Sequence, residues 1–319
     1  MKRLLAALAL LIPLGAAGQY PSKPIRLVAP FAPGGTSEIV ARSIAQELTT
    51  QLGQTVYVEN KGGGAGTIAM SDVAKSPADG HHLIIGHIGS LAVNPFAMAK
   101  QPYDVNKDFV PVALLARVPN LFVVNAERVA AKDIKEFVAL AKAKPGELNY
   151  GSAGNGSAGH LAFEYLKMVT STDIVHVPYR GTGPQLQDLL GGRLDATSAG
   201  TPALLPHIKS GKLRAIAVGT LERIAALPDV PTAAEQLGLP DFETTQWYGI
   251  IAPAGTPREI VMKLNAEINK ALRSSQVTQR YASDNLTISI GSPDDFAAFI
   301  RKEQERWEKV VKKAGMKIE

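Results

Sequence analysis

Ile25-Arg26-Leu27-Val28-Ala29-Pro30-Phe31-Ala32-Pro33-Gly34-Gly35-Thr36-Ser37-Glu38 passes from a β-rich apolar run, through a Pro/Gly loop, to the hydroxyl-bearing start of a helix. Val40, Ile44, Leu48 and Leu52 recur every four residues, which places them on one helix face, and Gly53 ends the helix. Thr36 or Ser37 is the expected N-cap. The layout returns at the strand Leu148-Asn149-Tyr150 and the loop Gly151-Ser152-Ala153-Gly154-Asn155-Gly156-Ser157-Ala158-Gly159-His160. A helix carrying Leu161, Tyr165 and Met168 follows.

Between and beyond these units, short apolar runs alternate with helical stretches. Val56-Tyr57-Val58, Leu83-Ile84-Ile85, Val110 to Leu115, Leu121 to Val124, Ile174 to Val177 and Leu213 to Val218 read as strands. A short helix stops before Pro77, and further helices run through Phe137, from Pro184 to Leu190, through Leu204, and along Ile260 to Leu272. Asp294 to Lys313 is studded with charge and reads as a solvated outer helix. This alternation predicts a three-layer α/β protein. Leu121 opens a second unit with no long linker before it, which predicts two lobes joined by short crossings.

The first turn of a helix leaves N–H groups without intrahelical acceptors and carries the positive end of the dipole. Each glycine-rich loop is therefore an anion seat, and two seats, one per half, hold a carboxylate without a buried lysine or arginine. Turn chemistry alone explains either loop taken singly. Gly154-Asn155-Gly156-Ser157-Ala158-Gly159 also fits the G-x-G-x-x-G fingerprint, so an exported dinucleotide-dependent oxidoreductase is the competing class. Its expected acid is out of register, because Asp173 precedes the strand Ile174 to Val177.

Other chemistry is poorly supported. Gly62 to Thr67 lacks the lysine of a Walker A loop, and no G-x-S-x-G or H-E-x-x-H occurs. His81, His82 and His87 have no carboxylate at ligand spacing and are expected at solvated or strand-edge positions. His160 reads as a cap or a ligand contact, and Asp195 as a turn residue or a cleft acceptor. Neither a catalytic residue, a metal nor a cofactor is expected.

The chain of 319 residues has 34 Lys+Arg against 29 Asp+Glu and no Cys. That length suits two domains, and a mean hydropathy of +0.02 suits folded ones. Without Cys, disulfides and thiolate sites are excluded. Met1-Lys2-Arg3, the apolar Leu4 to Leu14 and the small residues Gly15-Ala16-Ala17-Gly18 read as a signal peptide over residues 1–18. The apolar part is shorter than the ~20 residues that span a bilayer, so export to a bacterial periplasm is expected. Setting Lys2 and Arg3 aside brings the net charge from +5 to +3, and no basic run is interleaved with aromatics, so no nucleic-acid partner is expected.

Further short stretches occur in a fixed order: Tyr20-Pro21-Ser22-Lys23-Pro24-Ile25, Pro33-Gly34-Gly35-Thr36-Ser37, Val58-Glu59-Asn60-Lys61, Pro77-Ala78-Asp79-Gly80 and Val177-Pro178-Tyr179-Arg180-Gly181. Leu227-Pro228-Asp229-Val230-Pro231-Thr232, Trp247-Tyr248-Gly249 and Ala252-Pro253-Ala254-Gly255-Thr256-Pro257 continue the series. In these the chain resembles the Bug family, the periplasmic substrate-binding receptors of tripartite tricarboxylate transporters, over nearly its whole length. The resemblance implies a type II periplasmic-binding fold. Lobe 1 would comprise residues 20–118 and 219–319, and lobe 2 residues 119–218. It also implies a monomeric receptor that binds a small organic carboxylate between its lobes and delivers it to membrane permease subunits, or serves a sensor. Carried over by position, the ligand-binding residues are Pro33, Gly34, Gly35, Thr36, Ser37, Ser152, Gly154, Asn155, Ser157, His160 and Asp195. Glu38 stands where the family often has an Asp, which some amino-acid binders direct at the ligand's ammonium, so an amino-acid ligand is not secured. The small residues Ala196 to Thr201 stand where bulkier ones are common, which predicts a roomier distal pocket.

Overall fold

A computed structural model describes residues 20–315, 317 and 318, so the signal peptide expected over residues 1–18 lies outside the described residues. In chain order the strands are β1 (Ile25–Ala29), β2 (Val56–Asn60), β3 (His82–His87), β4 (Phe109–Val118), β5 (Asn120–Asn125) and β6 (Asn149–Ser152). They continue with β7 (Val175–Pro178), β8 (Ala196–Gly200), β9 (Leu213–Val218), β10 (Gln246–Pro253) and β11 (Thr287–Ile288). The helices are α1 (Thr36–Leu52), α2 (Thr67–Ala74), α3 (Asn94–Ala97), α4 (Val105–Asp108), α5 (Ile134–Ala143) and α6 (Ala158–Thr170). After these come α7 (Thr182–Leu190), α8 (Thr201–Lys209), α9 (Ala233–Leu237), α10 (Arg258–Leu272), α11 (Ser275–Ser283) and α12 (Pro293–Ala314).

One sheet has six strands in the order β11-β4-β10-β3-β1-β2, and the other has five in the order β7-β6-β8-β5-β9. Neighbouring residues of a strand point to opposite faces, so each sheet buries both. Leu27 faces Val40, Ile44 and Leu48 of α1 and Val261, Leu264 and Ile268 of α10. Val28 faces α2 and, through Phe296, Ile300, Trp307 and Val311, α12. In the second sheet Phe122 packs with Phe137 and Phe163, while Leu121 and Val123 pack with Leu186 and Leu189. The expected three-layer α/β architecture in two lobes is therefore present.

Two expectations need correction, and two strands went unread. The charged helix α12 is not merely a solvated face: Phe296, Ile300, Glu303, Trp307 and Val311 form a buried stripe along it. Strands β8 and β10 escape a periodicity search, because Ala-Thr-Ser-Ala-Gly lacks bulk and Gln246–Pro253 is buried at every position. The second lobe also extends beyond residue 218. Ala233, Ala234 and Phe242 belong to the core around Phe122, so the chain returns to the first sheet near Thr244–Gln246.

That return and the outward crossing at Val118–Asn120 run side by side. Asn120 Nδ2 donates to the Thr244 carbonyl at 2.8 Å, Gly219 N–H to the Asn120 carbonyl at 2.8 Å, and Gln246 Nε2 to Asn120 Oδ1 at 2.6 Å. These bonds tie the crossing segments into one hinge.

Candidate functional site

Both glycine-rich loops leave the C-terminal ends of parallel strands, β1 and β6, where open α/β sheets place their ligand loops. In the first loop Gly34 takes φ +91°, a conformation suited to glycine. Its N–H donates to Glu38 Oε2 at 2.7 Å, and Glu38 Oε1 pairs with Arg42 at 2.7 Å. Glu38 is thus locked onto its own helix start. The N-cap is Gly35, so Thr36 and Ser37 are the first helical residues rather than the cap. Glu38 and Ile39 both donate to the Gly35 carbonyl. The N–H groups of Thr36 and Ser37 then have no acceptor among the described residues.

The second loop is more firmly braced. Gly154 N–H donates to Ser152 Oγ at 3.1 Å, Gly156 N–H to His160 Nδ1 at 3.1 Å, and Ser157 N–H to the Gly154 carbonyl at 3.0 Å. Ser157 caps α6 through the His160 N–H. Here too the first two helical N–H groups, those of Ala158 and Gly159, have no acceptor among the described residues. Behind the loop, Ser152 Oγ meets His176 Nε2 at 2.6 Å and the His160 and His176 rings lie 4.4 Å apart. Burial pushes His160 down to about 4 and His176 down to about 3, so both rings are neutral near pH 7.

The two helix starts face a common cavity, tightly closed here, with free space of about 20 Å³. Of the predicted residues, Thr36, Ser37 and Ser157 line it. Pro33, Gly34 and Gly35 instead press on α7 of the other lobe: a Cβ on Gly34 would stand 3.1 Å from Gly183 Cα, and one on Gly35 3.3 Å from Thr182 Oγ1. Ser152 and His160 brace the loop from behind, and Gly154 and Asn155 face a separate cavity nearer the cleft mouth. Asp195 is no cleft acceptor. It precedes β8, at the end of the strand away from the cavity-lining Ser198 and Gly200, and is held by Arg128 at 3.1 Å and the Asn149 N–H at 2.9 Å.

The cavity is completed by residues that sequence reasoning missed: Phe31, His87, Gln246 and Tyr248, and, across the cleft, Ala153, Thr182 and Ser198 to Gly200. His87 is fully buried rather than at a strand edge, because β3 is an inner strand whose end abuts the cleft. Burial pushes it down to about 4, and its Nδ1 accepts the Gly89 N–H at 3.1 Å. Tyr248 pairs with His87 across β10 and β3, and burial holds its phenol above the usual range, so it stays a neutral donor. Its hydroxyl donates to Gln246 Oε1 at 2.5 Å, continuous with the hinge bond from Gln246 to Asn120. Trp247, one residue earlier, faces the opposite side and bonds Glu303 at 2.8 Å. Alternation along a strand was the signal that could have separated these two aromatics.

Among the described residues, no charged side chain lines the cavity. Hydroxyls, an amide and free main-chain N–H groups can stabilise an anion, whereas an ammonium group finds no carboxylate partner. The small residues of β8 open no extra space. A Cβ on Gly200 would stand 2.5 Å from Thr36 Oγ1 and 2.6 Å from Gln246 Nε2, and one on Gly159 would overlap the Ser198 carbonyl. They let α1 and α6 approach the strand. Asp173 lies beside Gly146, before β7 and away from the loop, where it cannot meet a dinucleotide ribose there.

A family model described as the tripartite tricarboxylate transporter family receptor matches residues 40–316. Protein BugT of Bordetella pertussis is 38% identical over 325 aligned positions, covering 100% of this chain and 99% of BugT. Among solved structures, R. palustris Rpa4515 with adipate is 40% identical with a TM-score of 0.89, over 93% of this chain and 99% of that one. MatC from Rhodopseudomonas palustris with bound malate is 37% identical with a TM-score of 0.88, over 92% and 100%.

Proposed function

We propose a function from the premise that the chain belongs to the tripartite tricarboxylate transporter receptor family, whose model covers residues 40–316. The protein is a receptor that closes its two lobes around one small organic carboxylate and leaves it chemically unchanged. One observation carries this reading. The unengaged N–H groups of Thr36 and Ser37 in one lobe, and of Ala158 and Gly159 in the other, open on the same uncharged cavity. A carboxylate that bridges them favours the closed state by touching both lobes at once. Each charge-assisted bond is worth about 1.5–3 kcal/mol.

Adipate and malate, the acids in the related structures, set the class to test first. Amino acids are disfavoured, since Glu38 is engaged with Gly34 and Arg42. Release of the acid to permease subunits in the membrane, export to the periplasm and action as a monomer complete the proposal.

Thermal unfolding in the presence of a panel of linear and aromatic acids, amino acids and sugars tests it. A ligand at a hundred times its Kd stabilises the folded protein by about 2.7 kcal/mol. Carboxylates lacking an ammonium group should raise the midpoint and sugars should not. A panel in which no acid shifts the midpoint would falsify carboxylate capture.

A further inference from the structure

The edge strands β2 and β7 lie far from the hinge, and the loops that follow them enclose a second cavity of about 450 Å³ at the cleft mouth. Gly63, Gly64 and Ala65 form one wall; Gly154, Asn155 and Arg180 stand in the other. Its chemistry differs from that of the inner cavity. The Arg180 guanidinium pairs with no carboxylate among the described residues, whereas nearby Lys61 is tied to Asp72 at 3.0 Å. The backbone of Arg180 is nevertheless fixed, because its carbonyl accepts the Ala32 N–H from the other lobe at 3.0 Å.

Opposite, residues 63–66 hold positive φ at four consecutive positions, of 130°, 55°, 52° and 91°. Gly66 N–H turns back to the Gly63 carbonyl at 3.0 Å, while the N–H groups of Gly64 and Ala65 have no acceptor among the described residues. An unpaired guanidinium and unengaged amides that line one concave site can together recognise an anion.

We propose that this mouth cavity is a second anion subsite, with Arg180 as its charged partner. The proposal rests on carboxylate capture in the inner cavity. The two cavities are consecutive along the same loops: Ala153 lines the inner one and Gly154 and Asn155 the outer, and Thr182 lines the inner one and Arg180 and Pro184 the outer. A carboxylate in the mouth is either the far end of a dicarboxylate held inside or a free anion beside a monocarboxylate. Arg180 is then a specificity-determining residue, and an anion bound there adds to the preference for closure.

The test is calorimetric titration of the full chain and its Arg180→Gln and Arg180→Lys variants with matched acids, from butanoate and succinate to octanoate and suberate. Each series is run with and without inorganic phosphate. The unmodified protein should bind the best-fitting dicarboxylate at least tenfold more tightly than its monocarboxylate partner. Arg180→Gln should erase that preference and leave monocarboxylate binding unchanged, and Arg180→Lys should restore part of it. If phosphate instead tightens monocarboxylate binding, and Arg180→Gln abolishes the effect, the subsite takes a free anion. Equal losses for both acids in Arg180→Gln, or no change with either acid or phosphate, overturns the subsite and leaves inner capture standing. Failure of every acid to bind the unmodified protein overturns capture itself.

Discussion

His87 and His160 show how single residues fix the electrostatics of the cleft. Both are buried, and burial pushes each down to about 4. Each ring also accepts a main-chain N–H through Nδ1, from Gly89 and Gly156, a bond that protonation of that nitrogen would remove. Unfolded, the same histidines take up protons near pH 6.5. Between pH 6.5 and about 4 the unfolded chain therefore binds more protons than the folded one, so stability is full above that window and falls as pH drops through it. Each contributes a loss of about 1 kcal/mol between pH 7 and pH 5.5. Denaturant midpoints at these two pH values should show the fall, and His160→Asn should make it shallower. A midpoint that holds steady across the interval would show that these rings do not resist protonation.

At the scale of elements, what matters at the site is where α1 and α6 begin. Ala158 is the first helical residue of α6, a position that tolerates proline because its N–H has no intrahelical acceptor. Ser157 before it sits at φ −67° and ψ 157°, as a residue preceding proline prefers. Ala158→Pro should therefore leave the unfolding midpoint nearly unchanged while removing one amide from the cavity. Carboxylate affinity should fall by roughly 10-fold or more, the equivalent of one charge-assisted bond; unchanged affinity would take that amide out of the site. The other element worth probing is α12. Phe296→Ala should cost about 3–5 kcal/mol because Phe296 packs against Trp247 in the core, whereas exposed Lys302→Ala should stay within roughly 0.5 kcal/mol. Equal effects would return the helix to the solvated role its charge suggests. Both loops, their helices and most strands were legible from periodicity and glycine placement. What stayed illegible has physical causes. The apolar stripe of α12 is diluted by charge, and β8 is built of small residues. The cavity walls at His87, Thr182 and Tyr248 come from segments distant in sequence, which no local pattern brings together.

At the scale of the whole molecule the lobes meet through glycine. The Ala32 N–H reaches the Arg180 carbonyl at 3.0 Å, and a Cβ on Gly62 would stand 2.7 Å from that carbonyl. A Cβ on Gly89 would overlap the Gly156 carbonyl, and one on Gly183 would overlap the Pro33 carbonyl. These are contacts of a closed cleft between opposite lobes, and backbone-to-backbone approach of this kind leaves no flexible side chain to yield. Gly183 tests the point cleanly, because it lies within the first turn of α7 and has no positive φ. Alanine there suits the helix better than glycine by up to about 1 kcal/mol. Gly183→Ala should therefore keep or raise the unfolding midpoint of the unliganded protein while holding the lobes apart. Carboxylate affinity should fall at least a hundredfold, since the ligand would lose one of its two helix starts. Small-angle scattering should show the unmodified protein contracting when ligand is added and the variant keeping its extended profile. If the variant binds and contracts like the parent, the glycine contacts do not govern closure, and capture between two helix starts must tolerate a looser cleft than this one.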